Sequence, residues 1–216
     1  MGLTIWYMDE TSTNLWERLR RVWQPQGGIR IKKSKQHKHN ITIMGALCHG
    51  KLFTRLAPTT NTLTVENFFL EMAKEHDLNA NVMVLDNHAA HGSRKVRELF
   101  EDMGCELLFL PPATSILNPI EVVWAHVKRQ WRQSLLSTDQ SNVGESWMVH
   151  ELGRICAGFS RETLENLATV HFRDAIEVLR EASQHCEQHE GQRQHRPVHG
   201  WMTAIQGQAT QPSSWL

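Results

Sequence analysis

The sequence contains no apolar run near the roughly 18–20 residues that a membrane span needs. It has no CxxC pair. Its four cysteines, Cys48, Cys105, Cys156 and Cys186, are widely spaced, which points to a reduced, intracellular compartment. Met1 to Ile5 offer neither the basic region nor the cleavage site of a secretory signal. No internal repeat is visible. Net charge is also missing: 23 Lys and Arg balance 23 Asp and Glu, so bulk electrostatics announce no nucleic-acid partner.

What is present is ordinary in amount and uneven in placement. A chain of 216 residues, 40% hydrophobic and 21% charged, suits one soluble domain with a sizeable core. The bases are not spread evenly. Arg18, Arg20, Arg21, Arg30, Lys32, Lys33, Lys35 and Lys38 fall within 21 positions that hold no acid. A block of one sign is either a solvated arm or a phosphate-binding segment.

Hydrophobic period and turn chemistry predict the element order. Leu3 to Met8 reads as a buried strand ending on Asp9-Glu10, with Thr11 to Asn14 as a turn. Ile41–Cys48 and Lys51–Leu56 read as a hairpin about His49-Gly50. Thr64 to His76 is a helix capped by Thr64, with Val65, Phe68, Phe69 and Met72 on its apolar stripe. Val82–Leu85 is a strand apolar on both faces. Ser93–Met103 is a helix stopped by Gly104, and Leu107–Leu110 a strand ended by Pro111-Pro112. Asn118 then caps a helix that has Pro119 at its first position. Strand, helix, strand, helix from Val82 onward implies parallel pairing. Leu135–Gly144 reads as a loop, and helices are expected over Trp147–Cys156 and Ser160–Ser183. The expected division is a core over 1–134, a helical extension over 135–184 and a flexible tail over 185–216, rich in Gln, His, Gly, Pro and Ser. His185, Cys186 and His189 invite a zinc reading, which one cysteine in a Gln-rich segment supports poorly.

Three acids occupy places where such folds put chemistry. Asp9 ends the first strand, Asp86 ends the fourth, and Glu121 lies early in the helix after the fifth. Ligand sites in open sheets gather at the carboxyl ends of strands. If the first and fourth strands are neighbours, Asp9 and Asp86 come side by side. Asp9 and Glu10 alternate faces, so only one of them can point at Asp86. Adjacent carboxylates repel, and a hard divalent cation relieves them. Each acid also has a plainer reading: a strand-end charge for Asp9, a turn for Asp86-Asn87, a capping-box glutamate for Glu121.

Tyr7-Met8-Asp9-Glu10-Thr11, Leu85-Asp86-Asn87-His88-Ala89-Ala90-His91, and Leu110-Pro111-Pro112 through Asn118-Pro119-Ile120-Glu121 with Trp124 and Lys128 resemble the catalytic domain of mariner-like transposases. The 34 residues between Asp86 and Glu121 also fit that group. The resemblance covers about Leu3 to Trp131. Departures from it are Ala113-Thr114-Ser115-Ile116, where the family carries Tyr-Ser-Pro-Asp, and His88, where alanine is common.

The resemblance implies an RNase-H-like α/β fold. Its mixed five-stranded sheet would start with an antiparallel hairpin, continue in parallel strands, carry flanking helices and end in a C-terminal helical extension. It implies Asp9, Asp86 and Glu121 as catalytic, metal-binding acids, with two Mg2+ or Mn2+ ions clamping one phosphodiester. Partners would be double-stranded DNA, as transposon ends and target, and a second copy of the chain; no membrane is involved. The enzyme would act with DNA inside the cell, in the nucleus or in the cytoplasm and nucleoid. Asn87, His91 and Asn118 are candidates to support the acids, with His91 either on phosphate or capping a helix. Lys128, Arg132 and the basic block are candidates to hold DNA. An N-terminal helix-turn-helix belongs to the family pattern, and here the first catalytic strand starts at residue 3. That leaves an excised fragment, a shortened product or delegated recognition. Two other functions stay open: a catalytically idle, transposase-derived DNA-binding or interaction module, and a nuclease for RNA strands.

Overall fold

The computed structural model describes residues 4–15, 40–112, 114–138 and 143–189, with side chains as far as residue 180. The basic block from Arg18 to Lys38 lies outside the described residues, as do the side chains of His185, Cys186 and His189 and everything beyond residue 189.

Five strands form one mixed sheet: β1 (Thr4–Asn14), β2 (Asn40–Cys48), β3 (Lys51–Ala57), β4 (Asn81–Leu85) and β5 (Glu106–Phe109), in the order β3-β2-β1-β4-β5. The β3, β2 and β1 pairings are antiparallel, whereas β1–β4 and β4–β5 are parallel. The β2–β3 turn puts His49 at φ 45° and Gly50 at φ 70°, the two positive values that a tight hairpin of the right twist needs.

β1 departs from expectation. It does not stop at Met8; it runs on through Asp9 and Glu10 to Asn14. Thr11 to Asn14, expected as a turn, pair with β2 residues Ile43, Thr42, Ile41 and Asn40. Thr11 and Thr13 are buried, so β-branched side chains on a half-covered strand outweigh local turn preference. The acids at positions 9 and 10 therefore stand inside a paired strand, which fixes their directions.

The sheet is covered on both faces. On one lie α1 (Thr62–Glu75) and α2 (Arg94–Asp102), packing Val65, Phe68, Phe69, Met72, Val96 and Phe100 against Trp6, Met8, Met83 and Leu85. On the other lie α3 (Ile120–Ser137), α4 (Glu145–Ala157) and α5 (Arg161–His189). Trp124, Trp131, Met148, Leu152 and Leu164 form the core there with Ile41, Ile43 and Leu47. Alternation along β1 sends Trp6, Met8 and Glu10 to the first face and Tyr7, Asp9 and Thr11 to the second.

Helix ends follow the sequence with small shifts. Asn61, not Thr64, caps α1: its side chain accepts from the Thr64 amide while Thr64 closes the reciprocal bond, a full capping box. Ser93 caps α2, and Gly104, at φ 65°, follows its end. α3 begins at Ile120, one residue later than expected, after a 3-10 turn at Ser115–Leu117. It also runs on to Ser137, into the expected loop, because α4 and α5 extend the core on which it packs. α5 continues to His189, past the expected end near Ser183.

Candidate active site

The parallel register between β1 and β4 brings the first two acids together. Tyr7 stands opposite Val84, so two residues further on Asp9 comes level with Asp86, just past the last paired residue of β4. The neighbour relation on which their meeting depends is therefore present.

α3 brings the third acid. Its start is tied to β1 by buried Asn118, whose side-chain amide donates to the Met8 carbonyl at 3.0 Å. The same side chain accepts from the Ile120 amide at 3.3 Å, but the N-cap position of α3 is Pro119 and not Asn118 as expected, because the helix starts one residue later. One turn along, Trp124 Nε1 donates to Asp9 Oδ2 at 3.1 Å. Trp124 is buried, as are Ile120, Val123, Val127 and Trp131 on the same stripe. Glu121, between Ile120 and Val122, is left at the edge of that stripe and close enough to Asp9 to act on its charge.

Trp124 reaches Asp9 because β2 makes room. Gly45 is the partner of Asp9 across the β1–β2 ladder. A Cβ at Gly45 would stand 2.5 Å from Trp124 Cη2 and 2.9 Å from Cζ2. Gly45 is therefore a part of the site that sequence pattern did not single out, a glycine in an otherwise apolar strand being the available signal, whereas Trp124 stood in the motif that carries the resemblance but without its bond to Asp9.

The electrostatics differ between the acids. Asp9 is pushed up to about 7 by burial, then by the nearby charges of Glu121, Glu10 and Asp86, with the Glu10 backbone amide opposing them. Asp86 is held below its ordinary value, chiefly by a hydrogen bond from His91 and further by the His88 amide, while partial burial works the other way. His91 is fully buried, with Nδ1 2.7 Å from Asp86 Oδ1 and Nε2 2.7 Å from Glu10 Oε1. Burial alone would lower its basicity, but the bonds and charges of the two acids hold it up at about 10.

The expected supporting residues divide accordingly. Asn118 and His91 touch the acid-bearing elements. Buried as it is, His91 reaches no solvent phosphate, and Ser93, not His91, caps α2. Asn87 is exposed on the loop after Asp86. Lys128 and Arg132 are half-buried on α3, the helix that carries Glu121.

The donor set suits a hard cation. It is made of oxygens, and Asp9 is an acid whose neighbours resist its ionisation, the condition a divalent ion relieves. Among the described residues, no three His, Cys, Asp or Glu side chains already stand as a metal-holding group. In the protein alone, Asp86 is engaged by His91 and Asp9 by Trp124.

Known proteins share this architecture. The family described as DDE superfamily endonuclease matches residues 4–143. An uncharacterised protein, y4pE/y4sA, of Sinorhizobium fredii (strain NBRC 101917 / NGR234) is 28% identical over 104 residues, 47% of this chain and 75% of that one. A pre-cleavage Mos1 transpososome superposes with a TM-score of 0.60 at 12% identity, over 81% of this chain and 55% of that chain. A Mos1 mariner paired-end complex with Mn gives 0.58 at 14%, over 76% and 51%. The catalytic domain of Mos1 mariner transposase alone gives 0.52 at 12%, over 76% and 74%. The chain thus spans about half the length of the Mos1 chains in those two complexes. The shared fold is the RNase-H-like one: a mixed five-stranded sheet between layers of helices.

Proposed function

The chain belongs to the DDE superfamily endonuclease family, and from that premise we propose that it is a transposase-type catalytic domain that cuts DNA phosphodiesters and joins the cut end to a target. The observation that carries the reading is the convergence of Asp9 and Asp86 on neighbouring parallel strands with Glu121 on a helix anchored to β1.

Asp9, Asp86 and Glu121 would hold Mg2+ or Mn2+, two ions in the full site. Divalent ions so held supply Lewis-acid activation of an attacking oxygen and stabilise charge on the leaving one. The chain's own contribution is placement. Asn118 and Trp124 tie α3 to β1, and with it Glu121 beside Asp9. At neutral pH Asp9 lies near its midpoint, so it yields its proton readily when positive charge arrives. Attack by water and later by a DNA 3′-hydroxyl needs no covalent enzyme intermediate. Lys128 and Arg132, on the helix of Glu121, and the basic block Arg18–Lys38 would contact phosphates, each contact adding about 0.9 to the salt slope. Double-stranded transposon ends and target are the proposed substrates, with two copies of the chain joining two ends, inside the cell wherever its DNA lies. Residues 1–134 would carry the chemistry, 135–184 would support α3, and 185–216 would form a tail.

Nicking of supercoiled plasmid tests this. The protein should nick with Mg2+ or Mn2+ and stop with a chelator. Asp9→Asn, Asp86→Ala and Glu121→Gln should each lose at least roughly 10³-fold, the scale of several kcal/mol of transition-state stabilisation. Unchanged nicking by Asp86→Ala would refute the site. Salt-sensitive DNA binding without cleavage under any metal would point instead to a binding module.

A further inference from the structure

We propose that Glu10 is a positioning residue that acts on Asp86 through His91. The proposal rests on the reading that Asp86 is a cation ligand, and it adds a support that the three-acid pattern does not contain.

Glu10 is the neighbour of Asp9, and β1 alternation sends it to the opposite, α1–α2 face, away from Trp124 and Glu121. There its Oε1 meets His91 Nε2 at 2.7 Å, across 81 positions of sequence. The other ring nitrogen, Nδ1, meets Asp86 Oδ1 at 2.7 Å. The His91 side chain has no exposure, and that of Glu10 has 12%. One buried ring thus spans two carboxylates, and both nitrogens are used.

The geometry has a directional consequence. A ring held at both ends can neither flip nor swing, so the Glu10 end decides where the Nδ1 end sits. Nδ1 pins one oxygen of Asp86, Oδ1, which also accepts from the His88 amide at 3.1 Å. Oδ2 makes neither of those bonds, and the Asp86 side chain is half-exposed. A carboxylate with one oxygen fixed by the protein presents the other in one direction. This is the logic of groups that orient metal ligands from behind, where loss of the supporting partner typically costs 10–100-fold in metal affinity. Without Glu10, the buried Nε2 would lose its partner and the ring its fixed direction.

The test is Mn2+ binding to the full chain, read from the electron paramagnetic resonance of free Mn2+, with melting of the metal-free protein recorded in parallel. Glu10→Ala should weaken Mn2+ binding about 10–100-fold. Glu10→Gln, which keeps an acceptor oxygen for Nε2, should stay within about threefold. His91→Asn should match Glu10→Ala, and the double variant should be no weaker than the weaker single one, because both act along one path. The Glu10 pair decides the matter even where His91→Asn lowers the melting temperature. Wild-type Mn2+ affinity in Glu10→Ala, equal losses in the Ala and Gln variants, or losses that multiply in the double variant would overturn the proposal. Asp86→Asn separates the two levels. If it abolishes Mn2+ binding while Glu10→Ala does nothing, only the positioning role falls. If it leaves Mn2+ binding intact, the ligand reading falls as well.

Discussion

On the α3 side of β1, Asp9 lies against an indole and near a second acid. On the α1–α2 side, Glu10 lies against an imidazole that also holds Asp86. The indole is neutral. It offers Asp9 one hydrogen bond and no charge, and burial with Glu121 nearby pushes Asp9 up to about 7. The imidazole carries charge, and Asp86 is drawn below its ordinary value. Asp9 and Asp86, level with each other on neighbouring strands, are therefore shifted in opposite directions. The compensated side is a fixed support, and the uncompensated side is where added positive charge gains most.

The largest effect on this contrast should come from Trp124→Ala. It removes a fully buried aromatic, at a cost of about 3–5 kcal/mol, and takes away the donor to Asp9. Phe69→Ala, in the core of the other face, should cost a similar amount by denaturant melting. The two should part in plasmid nicking normalised to folded protein: Trp124→Ala loses activity and Phe69→Ala keeps it. Equal activity in both would make Trp124 a packing residue only.

Gly45→Ala should come next, at about 1–3 kcal/mol of overpacking, because its new Cβ meets the Trp124 ring at 2.5 Å and neither the β2 backbone nor a buried indole can readily give way. The cost should nearly vanish in a Trp124→Ala background, where the ring is gone, a coupling that a double-mutant cycle on melting data measures. Additive costs would mean that Gly45 serves the β2 backbone and not the indole.

Much of this arrangement is legible in sequence, and the missing parts share a cause. The strand–helix order, the hairpin at His49-Gly50 and the Asn118-Pro119 start of α3 are written in local signals: apolar period, turn residues and caps. The alternation of Asp9 and Glu10 follows from strand geometry alone. What does not follow is the partner each acid finds. Thr11 to Asn14 read as a turn because Ser, Thr and Asn favour turns locally, whereas pairing with β2 is decided by residues about 30 positions away. Gly45 has meaning only once Trp124 lies over it. Glu10 and His91 are 81 positions apart, and their meeting depends on β1 and β4 being neighbours. Local chemistry placed the candidate acids in sequence; only tertiary packing decides which of them is compensated.

The effect that reads the contrast most directly is a matter of sign. Without metal, Asp9 has a folded-state value near 7 against an ordinary 3.8. Between those values the folded protein binds more protons at this site than the unfolded chain, so its contribution to stability falls as pH rises from about 4 to about 7. Asp86 is shifted the other way: its contribution is present above the ordinary carboxylate range and is lost as pH falls through its lowered folded value. Melting in a chelating buffer should therefore show Asp9→Asn gaining on the wild type steadily from pH 4 to pH 7. Asp86→Asn should instead lack the wild type's loss of stability in more acid solution. Saturating Mn2+ should shrink the Asp9→Asn advantage at pH 7, because in the wild type it neutralises the same charge. Parallel melting curves for Asp9→Asn and the wild type across pH 4 to 7 would place the uncompensated charge somewhere other than Asp9, and the difference between the two faces of β1 would then be one of packing alone.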